Sequence, residues 1–138
     1  MQHVSQPGQV LLYKNYQFED GSVKDKLFVV MYVADITSPC LLLKTTSQSR
    51  RYMGCQEGCD QQKKALFIPS NRGECFPRDT YIQLPEIFEI PAAEIFAGTL
   101  SGSMDLKNAL SVDCFKRLKS CLKKFREDIS LQHWKLIL

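Results

Sequence analysis

The chain has 138 residues, of which 44% are hydrophobic, 24% charged and 10% aromatic. That size and balance fit a single domain over residues 1–138 with one core, and exclude disordered, collagen-like and coiled-coil chains. Eighteen Lys and Arg against 15 Asp and Glu leave a formal charge of +3, too mild by itself to argue for nucleic acid.

Residues 1–5, Met-Gln-His-Val-Ser, carry neither a basic nor an apolar signal region, and no apolar run nears the ~18 residues of a membrane helix. A cytoplasmic protein is expected. Residues 10–13 form a short apolar strand after Pro7-Gly8, which Tyr16-Gln17-Phe18 extends. Glu19-Asp20-Gly21-Ser22 is a turn. Residues 26–33, rich in Val, Phe and Tyr, are the clearest strand, and residues 40–46 form a third. Residues 47–64 are polar and without periodicity, the longest loop of the chain. Residues 65–69 and 80–84 read as strands, residues 86–90 begin another, and residues 95–100 read as the last. Pro85 and Pro91 are expected to punctuate these strands rather than sit in a central ladder.

The end of the chain differs. Ser111 is a helix N-cap with Asp113 in the first turn, and Leu110 and Phe115 stand at hydrophobic-staple positions. Val112, Phe115, Leu118, Leu122 and Phe125 recur at three and four, predicting one amphipathic helix over about 111–125, followed by an apolar tail. Short strands closed by one helix suggest a mainly β fold, a small antiparallel barrel.

The charges are unevenly placed. Lys44, Arg50 and Arg51 lie in a stretch without an acid, as do the six cations from Lys116 to Arg126. A solvated surface is the plain reading of both, and a polyanion-binding face the functional one. Cys114 and Cys121 share a helix face and are expected in the core as thiols. The loose spacing of Cys55, Cys59 and Cys75 permits a metal-stapled alternative, but no metal or cofactor is expected. His133, beside Trp134, reads as a packing residue, and Glu86 and Glu89 as solvated charges. No nucleophile elbow, zinc-protease helix, P-loop or dinucleotide fingerprint is present. What remains is a polar set at three loop ends: Lys24 and Lys26, then Thr45, Thr46 and Ser47, then Arg50 and Arg51. Such a set has the parts for phosphodiester cleavage in which RNA supplies its own 2′-hydroxyl nucleophile. Ordinary strand threonines and surface cations are the competing reading.

Gly8-x-Val10-x-x-Tyr13, then Phe18-x-Asp20-Gly21-Ser22-x-Lys24-x-Lys26-x-x-Val29-Val30, resembles the opening of the MazF/PemK toxin family. Thr45-Thr46-Ser47-Gln48-Ser49 is similar to its Thr-containing segment after the third strand. Arg51-x-x-Gly54-Cys55, Phe67-Ile68-Pro69 and Phe76-x-x-Asp79-Thr80-Tyr81-Ile82 look like a divergent PemK-like branch. The resemblance implies a small SH3-like barrel, a homodimer, an antitoxin partner and metal-independent cleavage of single-stranded RNA. It places Lys26 and Thr45 as catalytic residues, and the rest of the polar set, Lys24, Thr46, Ser47, Arg50 and Arg51, is then expected to hold the RNA. Lys26 stands where the family has Arg, and Leu27 replaces the Pro that follows it. An ammonium lacks the planar fork of a guanidinium, so the alternative is a non-catalytic relative that binds nucleic acid or protein through the same face.

Overall fold

The computed structural model describes residues 6–70 and 76–138. The described residues form β1 (Gln9–Gln17), β2 (Val23–Tyr32), β3 (Pro39–Thr46), β4 (Gly58–Asp60), β5 (Ala65–Ile68), β6 (Thr80–Pro91), α1 (Ala92–Ser101), β7 (Met104–Ala109), α2 (Val112–Lys123) and α3 (Leu131–Ile137). Short 3-10 turns occupy Ser49–Tyr52 and Arg126–Asp128. The strands make one antiparallel sheet in the order β4-β5-β6-β3-β2-β1-β7. Among the described residues β4 and β7 stand at its two edges and do not pair with each other. The mainly β expectation holds at this level.

Strand alternation explains why the centre of the sheet is apolar without interruption. On one face Val10, Val29, Leu41, Leu43, Leu66 and Ile82 pack with Leu118 and Leu122 of α2 and Ile137 of α3. On the other, Leu11, Phe28, Val30, Cys40 and Leu42 pack with Ile95 of α1. Both faces of β2 and β3 are therefore buried, which requires near-continuous Val, Leu and Phe rather than alternation with polar residues. Helices lie on both sides of the sheet, whereas the sequence pattern leads one to expect a single closing helix.

The expected C-terminal helix is present as α2. Ser111 Oγ accepts a hydrogen bond from Cys114 N at 3.0 Å, the cap its position implies. Leu118 and Leu122 are buried, but Val112 is 73% exposed, so the apolar stripe begins one turn later than the spacing predicts. The tail carries α3, capped by Ser130 Oγ, which accepts from His133 N at 3.2 Å.

Three expectations are corrected. Residues 95–100, read as a strand, lie in α1. Ala92, Ala93 and Glu94 open that helix, and Gly102, at φ 88°, closes it with its N–H on Gly98 O at 2.9 Å. The last strand is instead β7, whose only apolar side chains before its end are Met104 and Leu106. Pro85 lies inside β6, an interior strand, but it falls where the β3–β6 register slips between Leu43↔Ile87 and Thr45↔Ile82, so its missing N–H breaks no ladder.

The third correction concerns cysteine. Cys59 on β4 and Cys121 on α2 form a disulfide with Cα atoms 5.6 Å apart. The free-thiol expectation fails for both, and Cys59 is no longer available to a metal set. Cys75 lies outside the described residues. The bridge closes 62 residues of chain, worth about 4 kcal/mol in a loop-entropy estimate. No more than four of the six cysteines should therefore react with a thiol reagent in denaturant without reductant, and all six after reduction. Six reactive thiols without reductant would contradict the bridge.

Candidate nucleic-acid interface

The face covered by α1 stays apolar only along part of its length. Phe28 lies opposite Lys44, and beyond that pair the same-face residues are Lys26 and Lys24 on β2 and Thr46 on β3. Here the core gives way to cations and rings. Lys44 Nζ lies 5.2 Å from the Tyr16 ring centroid and 4.3 Å from that of Phe88, so its charge sits between two aromatic faces. Lys26 Nζ lies 5.6 Å from the Phe18 ring. Tyr16 meets Phe18 and Phe28 edge to face, at 5.3 Å and 5.4 Å. Tyr16, Phe18 and Phe88 are all partly exposed.

The long loop contributes the far wall. Its start folds into the turn Ser49–Tyr52, where Arg50 and Arg51 point to solvent and Tyr52 is buried. Tyr52 stacks on Tyr81 at 4.7 Å, and Gln83 Nε2 donates to Tyr52 Oη at 3.1 Å. These contacts hold the turn against the sheet. Gln48 N donates to Thr46 Oγ1 at 3.2 Å and guides the chain from β3 into it. Further along, the buried Asp60 accepts from Gln56 N and Lys63 N, each at 3.0 Å, and organises the β4–β5 hairpin. Those backbone donors hold its carboxyl below the usual carboxylate range.

The cations act on one another. Burial first, and then the charges of Lys44, Arg51 and Lys24, push the Lys26 ammonium down to about 8. Four cations from two strands and a turn thus converge on one region, a site poised for an anion.

The expected catalytic pair is not brought together. Thr45 is 3% exposed, and its Oγ1 donates to Leu27 O at 2.9 Å. Strand alternation puts it on the face of Leu43, opposite the one that carries Lys26 and Lys44. Lys24, Lys26, Thr46 and Arg51 do gather on one side, with Arg50 and Ser47 exposed nearby along the chain. Tyr16, Phe18 and Phe88 belong to the face and escaped the sequence analysis, whereas Lys44 was legible there only as part of an acid-free basic stretch. Parity was the available signal for Lys44, two residues from the inward-facing Leu42 and two from Thr46. His133 does pack α3 onto the sheet, with Nε2 2.9 Å from Glu89 Oε2 on the opposite face.

Comparison with known proteins adds no relative: no family model, curated protein or solved structure matches this chain.

The depressed Lys26 has two consequences of definite sign. In the unfolded chain it titrates near the ordinary lysine value of 10.5. The fold therefore carries the cost of charging it below about pH 8, and that cost is relieved as pH rises from 8 to 10.5. An anion bound beside it restores the charged form, so phosphate affinity should fall as pH rises through about 8. NMR titration of the Lys26 ε-methylene should show the low value, and Arg51→Gln should raise it. A Lys26 titration near 10.5 would dissolve the cluster.

Proposed function

We propose that this chain binds single-stranded RNA through the face made by Lys24, Lys26, Lys44, Arg51, Tyr16, Phe18 and Phe88. The observation that supports the reading best is the placement of Lys44 between two rings, with Lys26 crowded by three other cations. Partly exposed aromatics interleaved with cations suit a flexible strand, whose bases stack while its phosphates meet the charges. A regular duplex hides its base faces and fits poorly. Four phosphate contacts to a single strand give a salt slope of about −3 in log affinity against log salt. Lys44→Ala and Lys26→Ala should each lower affinity and flatten that slope by ~0.7, as read by fluorescence anisotropy on labelled RNA. Equal affinity for duplex and single strand, or a slope unmoved by both variants, would count against the face.

A second reading rests on the Lys26 value of about 8. An ammonium that releases its proton near neutrality suits a proton donor. In this reading the chain is a MazF/PemK-like toxin endoribonuclease. The 2′-hydroxyl gives its proton to solvent water as its oxygen attacks the adjacent phosphorus, the bond to the 5′-oxygen breaks, a 2′,3′-cyclic phosphate remains, and the Lys26 ammonium protonates the leaving oxygen. The hydroxyl on that face is Thr46 rather than Thr45. A barrel-like closure of the sheet, a homodimer and an antitoxin partner belong to the same reading, which the MazF/PemK resemblance supports. Incubation with long single-stranded RNA in EDTA is the test. Cleavage lowered about a hundredfold by Lys26→Ala and little by Thr45→Ala is the expected pattern. No cleavage by the parent protein leaves binding as the activity.

No helix among the described residues is long and apolar enough to cross a membrane. We keep the cytoplasm as the proposed location under one condition set by chemistry: a bridge such as Cys59–Cys121 persists mainly in oxidising compartments. Alkylation in freshly quenched cells would show the state of the two sulfurs and decide between these settings.

A further inference from the structure

The sheet ends on a strand whose charges match themselves. β7 runs Met104-Asp105-Leu106-Lys107-Asn108-Ala109, and among the described residues it pairs with β1 alone. Lys14 N donates to Ser103 O at 3.0 Å, so Ser103, and by alternation Asp105, turn their backbone groups to β1. The same alternation turns the N–H and C=O of Leu106 away from β1, out of the sheet edge. Asp105 and Lys107 flank Leu106 on the opposite face of the strand, half-exposed, with Lys107 Nζ 2.9 Å from Asp105 Oδ2. When β7 is laid antiparallel on a copy of itself about Leu106, Leu106 falls opposite the second copy's Leu106. Asp105 then falls opposite the second copy's Lys107, and Lys107 opposite its Asp105. A Lys on an edge strand ordinarily repels other strands. Here the acid two residues away turns that repulsion into attraction.

The helix beside this edge is apolar on its outer side as well. α1 carries one charge in ten residues, Glu94, and a helix apolar all round is ordinarily covered. Its inner side lies close on β7: a Cβ at Gly98 would come within 2.7 Å of the Met104 side chain, so Gly lets the two elements approach. Leu106 is on this same face, packed against the cluster that holds Met104 and Ile95. On the outer side of α1 Leu100 is 60% exposed, and Ala93 and Ala97 are exposed with it at helical spacing. The self-pairing of β7 is short, because its register on β1 shifts between Leu11 and Gln9. The outer side of α1 supplies the apolar area that so short a ladder lacks.

We propose that the β7 edge, together with α1, is the surface on which a second copy of this chain docks, antiparallel β7 to β7 about Leu106. The occupant is the same chain because a single register satisfies Asp105 and Lys107 of both copies at once, as a two-fold axis requires. That axis stands perpendicular to the sheet. The two sheets continue into one, and the cation faces of both copies look the same way. From β2 of one copy to β2 of the other there are five strand intervals, about 24 Å at ~4.8 Å each. The surface follows from charge and apolar pattern at the edge and rests on neither functional reading.

Sedimentation velocity on the full chain, from low to high micromolar concentration, should show a monomer–dimer equilibrium. Lys107→Asp sets acids opposite one another and should weaken the dimer roughly tenfold or more, and Asp105→Lys should do the same with cations. The double variant Asp105→Lys with Lys107→Asp inverts both charges and should regain the parent affinity, which two unrelated defects would not do. Leu100→Glu should weaken the dimer through α1. In hydrogen exchange on the parent protein the Leu106 amide should gain protection as concentration rises, and this reading decides the matter even where a variant fails to fold. A monomer at every concentration would overturn the proposal. So would a double variant no better than the single ones, or a dimer unmoved by both Lys107→Asp and Leu100→Glu, which would put a homodimer on another face. RNA that fails to bind, while the variants behave as expected, would remove the RNA reading and leave this surface standing.

Discussion

The two-sided burial of β2 and β3 governs everything else in this molecule. Val29, Leu41 and Leu43 serve one core, and Phe28, Val30 and Leu42 the other, so these strands admit no polar residue until the covering helix runs out. The place where it runs out is where Lys26 and Lys44 begin. The candidate interface is thus the uncovered end of a core face, and its rings are the continuation of that core. Phe28 contacts both Tyr13 and Tyr16, which links the packed interior to the partly exposed aromatic surface without a break. This explains how cations come to be desolvated here: they stand on apolar ground and snorkel from it.

Crowding four cations costs stability, as the depressed Lys26 records. Proteins hold such arrangements where a ligand of opposite charge repays them, and the surrounding structure must be firm enough to prevent the charges from drifting apart. Firmness on the strand side comes from the sheet ladder. On the loop side it comes from Tyr52, whose stack on Tyr81 and hydrogen bond from Gln83 keep Arg51 over the face. A long polar loop is in this way turned into a fixed wall at one end by a single buried aromatic.

The other end of that loop is held by a different device. β4 is an edge strand of three residues, too short to be secured by its ladder alone. Asp60 ties the turn that follows it, and the Cys59–Cys121 bridge anchors it to α2 on the far side of the sheet. On that side of the sheet Gly58 of β4 and Cys114 and Arg117 of α2 line one shallow cleft. One covalent bond therefore joins the edge strand and the helix into a unit.

Features made by neighbours in the chain were legible in the sequence. The cap at Ser111 and the three-and-four spacing after it specify α2, because both act within a few residues. The Val-, Leu- and Phe-rich runs of β2 and β3 likewise declare buried strands. Residues 95–100 show the limit of local reading. Ile-Phe-Ala-Gly-Thr-Leu suits a strand or a buried helix equally, and the outcome was decided by helix signals on either side and by packing on the sheet. Thr45 and Thr46 are adjacent and alike in sequence. Which of them faces the cations depends on register, and a shift of one residue exchanges the faces. The Cys59–Cys121 bond and the Tyr52–Tyr81 stack join residues far apart in the chain, and no local pattern announces such pairs. The sequence by itself determined the helix, the buried strands and the supply of cations. Only the tertiary structure decided which of those cations, rings and sulfurs meet, because strand order and register are properties of the whole sheet.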